Sequence, residues 1–361
     1  MEEKGKKKRM DMSLLLIVFL LVVIGLVILY STSSYNGQVK FHDSFYYLKK
    51  QAFATALGVV LMLLVAGMDY HIWQRMAVFG YLAAVALSVA VMLFGREING
   101  SKRWLALGPF SFQPSEFAKV ALILFLADLV TKNVKTIGKM WTLCRIMFWI
   151  LPIVGLVGAS NLSTAIIILG IGVILIFVAS PKYAQFVWMG IAGAGFMGIF
   201  LALESYRLER LAIWRNPEKY EKGYQTLQGL YAIGSGGVFG VGLGNSVQKL
   251  GFVPEAQNDM IFSIICEELG LAGSVLIVLL FLMLIWRFFL IASECRDLFG
   301  ALIATGAMAH MMIQVILNIA VVTNTIPNTG ITLPFISYGG TSVMFLLIEM
   351  GLVLSVSQVV D

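Results

Sequence analysis

Four places in this 361-residue sequence put ionisable groups inside or at the edge of long apolar runs. A charge at the centre of a membrane helix costs at least about 2.5 kcal/mol, so each such group needs a partner or a task. Glu116 and Lys119 sit three apart just after Pro114 and share one helical face. They read either as an ion pair closing the helix start or as a pair lining a substrate cavity. His310, Gln314 and Asn318 recur at i, i+4 and i+8, a spacing that reads first as interhelical hydrogen-bond glue. Glu349 falls in the middle of a run and must face the interior or hold a proton. Asp259 follows PEAQN and opens MIFSIICEELG, where its simplest reading is a helix N-cap. With Lys102, Arg103, Arg207 and Arg210 supplied by neighbouring loops, a carboxylate there has the parts for moving a sugar off a phosphate-linked donor. One base takes a hydroxyl proton, and several cations hold the departing phosphate. The residue types permit this chemistry without compelling it.

The elements that position these groups follow from composition. Hydrophobic residues make up 59% of the chain and charged ones 13%. A soluble domain has about a quarter of its residues charged, so water is not the main solvent, and a disordered chain is excluded by the surplus of apolar surface. Cys144, Cys266 and Cys295 share no CxxC spacing, and His42, His71 and His310 are far apart, so no disulfide framework, zinc site, iron–sulfur cluster or haem is expected. Ten apolar runs centre on 13–30, 52–68, 76–94, 114–130, 143–157, 164–179, 186–203, 271–291, 302–322 and 342–359. Hydrocarbon requires every backbone group to be paired within its own segment, so these runs are helices. The expected fold is an all-α integral membrane protein, a polytopic bundle of ten transmembrane helices with long extracellular loops, forming a single domain over 1–361. The stretch 259–291 is about 50 Å long if helical throughout, against about 30 Å of hydrocarbon. It must therefore project outward or break near Gly270 and Gly273.

The basic residues from Lys4 to Arg9 make 1–12 a cytoplasmic tail, and an even number of spans returns the C-terminus to the same side. The first run is long for a signal peptide and no A-x-A site follows it, so it reads as an anchor. Half of the 26 basic residues then fall outside, a violation that an anionic ligand on that side explains. Three long loops share this outer rim: 96–113, 204–258 and 323–340. The second contains GSGGVFGVGLGNS. This stretch lacks a GK[ST] ending and flanking βαβ pattern, so it reads as tight backbone packing in a re-entrant segment and not as a nucleotide loop.

At these loops the sequence resembles a known family. PEAQNDMIFSIICEELG, NTGITLPFISYGGTS, GSKRWLALGPFSFQPSEFAK and GYQTLQGLYAIGSGGVFGVGLGNS resemble, in order, the signature loops of the SEDS (shape, elongation, division and sporulation) family. NIAVVTNTIPNTGITLPF is closer to its FtsW and SpoVE branch than to RodA. One departure is SNLSTA at 160–165, where many relatives carry an acidic residue. The resemblance implies a peptidoglycan glycosyltransferase of the bacterial cytoplasmic membrane that polymerises lipid II, for division or sporulation wall synthesis, beside a class B penicillin-binding protein. Asp259 matches the family's essential aspartate, proposed as general base. Glu116 and Lys119 match its cavity pair, and Arg103 and Arg210 match basic positions near the diphosphate, beside which Lys102 is expected to bind substrate as well. The resemblance further implies a divalent cation, Mg or Mn, contact with membrane lipids and the growing glycan, and no nucleic acid. Forming a β-1,4 bond from an α-linked donor is an inversion, for which one base suffices. Two alternatives stay open: a flippase or transporter of the lipid-linked precursor, and a noncatalytic scaffold for the penicillin-binding protein.

Overall fold

A computed structural model of the chain describes residues 10–98, 101–107, 110–188, 190–191 and 212–360. Ten helices carry the architecture of this part: α1 (Met12–Phe41), α2 (Tyr46–Gly67), α3 (His71–Phe94), α4 (Pro114–Asn133), α5 (Met140–Ser160), α6 (Leu162–Ala179), α7 (Tyr224–Ser235), α8 (Ile261–Glu294), α9 (Leu298–Val322) and α10 (Gly340–Ser357). Eight of them are long and apolar enough to cross a membrane. α7 is too short. α4 coincides with the expected fourth span but carries Glu116, Lys119, Asp128 and Lys132, and most of it is buried between its neighbours. Most of the expected seventh span, 186–203, lies outside the described residues, and the tract Lys4 to Arg9, Arg207 and Arg210 lie wholly outside them.

Burial sorts the helices into layers. In α9 and α10, 67% and 72% of the most apolar window is buried, against 28% in α3 and α8. The first two form the centre and the latter two face outward, with Phe79, Leu93 and Phe94 exposed along α3 where acyl chains replace water. α10 lies along α2, with Gly58 against Leu347 and Gly351 against the Met62 backbone.

Two expectations about the loops are corrected. Residues 96–113 were expected to lack regular structure, but they form an antiparallel sheet, β1 (Arg96–Ile98), β2 (Ser101–Leu107) and β3 (Phe110–Phe112), in the order β1-β2-β3. The fold is therefore mostly helical and not purely so. The pairing of Leu105 with Phe112 explains why: both flanks of the loop are apolar enough to favour strand partners over solvation. The long loop 204–258 also contains structure, since α7 buries Thr226, Gly229 and Ala232.

The overlong segment breaks where its length requires. Gly270 leaves helical geometry at φ 67° and ψ −167° inside α8. The glycine-rich stretch closes the gap: Val241 N and Gly242 N donate to the carbonyls of Glu267 and Glu268 at 2.9 and 3.0 Å, while Leu271 N and Ala272 N donate to Gly237 and Val238 at 3.0 Å. The stretch thus supplies backbone partners to a broken helix. A Cβ at Gly240, which holds φ 78°, would lie 2.2 Å from the Glu268 carbonyl oxygen. Gly240→Ala is expected to cost on the order of 2 kcal/mol or more, read as a lowered thermal midpoint in detergent.

The same junction holds a buried polar cluster that charge patterning did not single out. Lys249 Nζ meets Glu268 Oε1 at 2.6 Å, Ser31 Oγ donates to Glu268 at 2.7 Å, and Glu267 accepts from Val247 N at 3.0 Å and from Ser246 Oγ. Lys249 counted only as an outer basic residue in the sequence. Here it neutralises a carboxylate packed against the break.

Candidate functional site

A cavity of about 1510 Å³ opens between α2, α4, the N-terminal turn of α6, α7, α9 and the 323–340 loop. Asp259, Arg103, Glu116 and Lys119 all line it. Lys102, one residue before Arg103 on β2, is exposed and does not line it. Arg210 lies outside the described residues.

Asp259 is placed by the chain on either side of it. Asn258 N donates to the Glu255 carbonyl at 2.8 Å, making a turn whose Glu255 takes φ 51°. The 323–340 loop clamps that turn: Ser337 Oγ donates to Asn258 O at 2.6 Å and Tyr338 N to Gln257 O at 2.9 Å. Asn318 Nδ2, from α9, bonds the carbonyls of both Asp259 and Ile331, at 2.9 and 2.7 Å. The N-cap reading of Asp259 is therefore corrected. Met260 occupies the cap position of α8 with no side-chain cap bond, because the clamped turn delays the helix by one residue. The carboxylate instead faces the cavity, with Gln225 Nε2 at 3.5 Å from Oδ1 and Asn328 Nδ2 at 3.3 Å from Gln225 Oε1.

Among the described residues no cation forms an ion pair with Asp259; Arg207 and Arg210, two of the expected cations, lie outside them. Burial pushes its carboxyl up to about 6, with the nearby Glu255 charge adding to the rise and the Met260 N–H and Gln225 opposing it. A half-buried carboxyl with affinity for a proton near neutrality suits a general base.

On the α4 wall, Lys119 Nζ lies 3.0 Å from Glu116 Oε1 and 3.3 Å from Gln314 Oε1. Both residues are buried, so the structure contains the ion pair of one reading and the cavity lining of the other. Arg103 is half-buried and donates from Nε to the Ser160 carbonyl at 3.0 Å, tying the sheet to the end of α5. Beside it Asn161, within the divergent SNLSTA segment, caps α6 by accepting from Thr164 N at 3.2 Å. A neutral amide thus serves as the cap at this position.

The polar stripe on α9 is glue of a particular kind. Gln314 Nε2 donates to the Thr332 carbonyl at 3.0 Å, and His310 bridges Gln314 Oε1 at 2.8 Å and Glu349 Oε2 at 2.7 Å. Glu349 thereby finds an interior partner. The cavity also recruits groups that sequence reasoning missed. Gln225 and Asn328 carry no charge pattern to betray them. Lys49 and Lys50, at the head of α2, are held by Asp43 at 2.8 Å and by the Tyr46 hydroxyl at 2.6 Å.

Among the described residues no group of three or more His, Cys, Asp or Glu side chains is placed to hold a metal ion.

The helices enclose a polar cavity lined by carboxylates and cations, the kind of site that binds a ligand within a bundle of membrane helices. The sequence profile of the FtsW–RodA–SpoVE family, described as "Cell cycle protein", matches residues 11–361. Stage V sporulation protein E of Bacillus subtilis (strain 168) is 40% identical over 98% of each chain. The probable peptidoglycan glycosyltransferase FtsW of Trichlorobacter lovleyi is 35% identical over 96% of this chain and 93% of its own. Among solved structures, one described as "Structural coordination of polymerization and crosslinking by a peptidoglycan synthase complex" superposes with a TM-score of 0.84 at 30% identity, covering 96% of this chain and 97% of that one. The rod shape determining protein RodA of Thermus thermophilus superposes at 0.71 and 29% identity, covering 96% of each chain. The chain belongs to the FtsW–RodA–SpoVE family, and with it to the multi-pass membrane peptidoglycan glycosyltransferases.

Proposed function

We propose that this chain polymerises lipid II into glycan strands, with Asp259 as the general base. The acceptor's 4-hydroxyl oxygen attacks the donor's anomeric carbon as its proton passes to Asp259. The bond from that carbon to the diphosphate breaks, and the polyprenyl diphosphate leaves with the electron pair. Attack opposite the leaving group inverts the α-linked donor to a β-1,4 bond in one displacement. Arg103 and Lys119, with Lys102 and Arg210 from the rim, hold the diphosphate. The observation that carries this reading is the shared cavity: Asp259, Arg103 and Lys119 line one space that is larger than most single-ligand sites. The whole chain acts as one domain with both termini cytoplasmic. The tail 1–12 is then inside, and the cavity and the 204–258 loop face outward. A class B penicillin-binding protein crosslinks the product, in keeping with the solved relative in a peptidoglycan synthase complex.

The test is purified chain with its penicillin-binding partner in vesicles containing labelled lipid II. Lengthening glycan supports transfer; labelled lipid that crosses the bilayer without elongation selects the flippase reading.

The pH dependence has a defined sign. A base must be unprotonated, and Asp259 holds its proton up to about pH 6. The rate is expected to fall about tenfold per unit as pH drops below that value and to level off above it, in a pH–rate profile measured with saturating lipid II.

A further inference from the structure

His310 and Glu349 are buried on the central helices and take no part in the displacement, yet they join directly to the groups that do. The hydrogen bonds fix where their protons are. Because Gln314 Nε2 donates to the Thr332 carbonyl at 3.0 Å, its Oε1 faces the other way. There it meets Lys119 Nζ at 3.3 Å and His310 Nε2 at 2.8 Å. An amide oxygen only accepts, so His310 Nε2 carries a hydrogen. His310 Nδ1 lies 2.7 Å from Glu349 Oε2, and that contact needs a second proton, on the nitrogen or on the oxygen. Either placement leaves the pair with no net charge, the arrangement that a buried site among membrane helices favours. Glu349 Oε1 has no partner among the described residues, so the bonding of this carboxyl group is with His310.

The Gln314 amide is thus held in one orientation by three contacts, from Lys119, from the Thr332 carbonyl and from His310, and His310 supplies the shortest of them. Were the amide reversed, its NH2 would face the Lys119 ammonium and its oxygen would face the Thr332 carbonyl, two repulsive contacts in place of two bonds. Thr332 follows Ile331, whose carbonyl shares Asn318 with the Asp259 carbonyl. One amide orientation thus bears on both walls of the cavity.

We propose that His310, backed by Glu349, is a positioning residue for glycosyl transfer. Its Nε2 hydrogen orients the Gln314 amide, which holds the Lys119 ammonium and the 330–333 segment beside Asp259 in register. The proposal rests on the transferase reading above.

The experiment compares His310→Phe, Gln314→Leu, Glu349→Gln and Glu349→Leu in the full chain with its partner. It measures glycan synthesis per folded molecule and amide hydrogen exchange of a peptide spanning 328–336. His310→Phe keeps a ring but no donor, and is expected to lower kcat about tenfold or more, with KM for lipid II moving less than kcat. Exchange at 328–336 should speed up in His310→Phe and in Gln314→Leu. Adding Gln314→Leu to His310→Phe should cost far less than in the wild type, since both remove one link. Glu349→Gln supports the proposal if it retains activity within about threefold, because its NH2 donates to Nδ1 and keeps the hydrogen on Nε2, whereas Glu349→Leu loses activity. Wild-type turnover by folded His310→Phe, additive losses in the double variant, or equal damage from the two Glu349 variants overturns it. If His310→Phe does not fold, the Glu349 pair decides. Should the wild-type chain elongate no glycan, the transferase reading fails on its own. The exchange data still decide the positioning: unchanged exchange at 328–336 in His310→Phe rejects it.

Discussion

Lys119→Met is expected to leave little folded protein, whereas Glu116→Gln combined with Lys119→Met is expected to fold and still lack activity. The single change strands the Glu116 carboxylate, which has Lys119 Nζ at 3.0 Å from one oxygen and no partner for the other among the described residues. Breaking a buried pair from one side costs about 3–5 kcal/mol, a large share of the stability of most domains. Removing both charges with groups of similar volume avoids that cost, so the double variant separates folding from function. Its lost ammonium no longer faces the departing diphosphate, and a drop in rate of about 100-fold or more is expected. Thermal melting of both proteins in detergent, followed by lipid II turnover of the folded double variant, measures the two effects. A double variant that polymerises normally would reduce the pair to a structural clasp.

Asp259→Asn is expected to remove polymerisation while melting at or above the wild-type temperature at pH 7.5. A positioned general base contributes about 10²- to 10⁴-fold, and an amide cannot take its place. The stability sign follows from the raised carboxyl. Folding lifts its affinity for protons from an ordinary value of 3.8 to about 6, so the folded state binds a proton that the unfolded chain has released. Stability from this group is full below the ordinary value and is lost as pH rises through about 6. At pH 7.5 the wild type carries the burden of a half-buried anion, and asparagine relieves it. Loss of activity with unchanged or higher stability is the signature of a group kept for chemistry and not for packing.

Much of this arrangement is legible in the residues, and the limits are specific. The break in α8 follows from arithmetic, because a helix starting beside Asp259 and running to Ile291 outlasts the bilayer and glycine offers the place to yield. The glycine-rich stretch reads correctly as packing because it lacks phosphate-binding flanks, although its partner, the gap at Gly270, is visible only in three dimensions. The sequence places Asp259 as the cap of α8, whereas the structure puts it one residue ahead of the cap, facing the cavity. Local preference favours Asp before MIFSII, while long-range bonds from Ser337 and Tyr338 hold the turn open one residue longer. Likewise, the stripe of His310, Gln314 and Asn318 announces interhelical contacts without naming them. Glu349 lies 39 residues from His310, and which faces of α9 and α10 meet depends on packing that helical periodicity does not encode. The cations expected around Asp259 divide: Arg103 lines the cavity, Lys102 is exposed, and Arg207 and Arg210 lie outside the described residues. Loop proximity along the rim does not say which side chains reach the cavity: of the adjacent pair Lys102 and Arg103, only Arg103 lines it.

The most direct measurement is the length distribution of glycan made from lipid II by purified, folded Asp259→Asn with its penicillin-binding partner, run beside the wild type at pH 7.5. Long strands are expected from the wild type and unextended lipid II from the variant. Strands of ordinary length from the variant would contradict the role of Asp259 as general base.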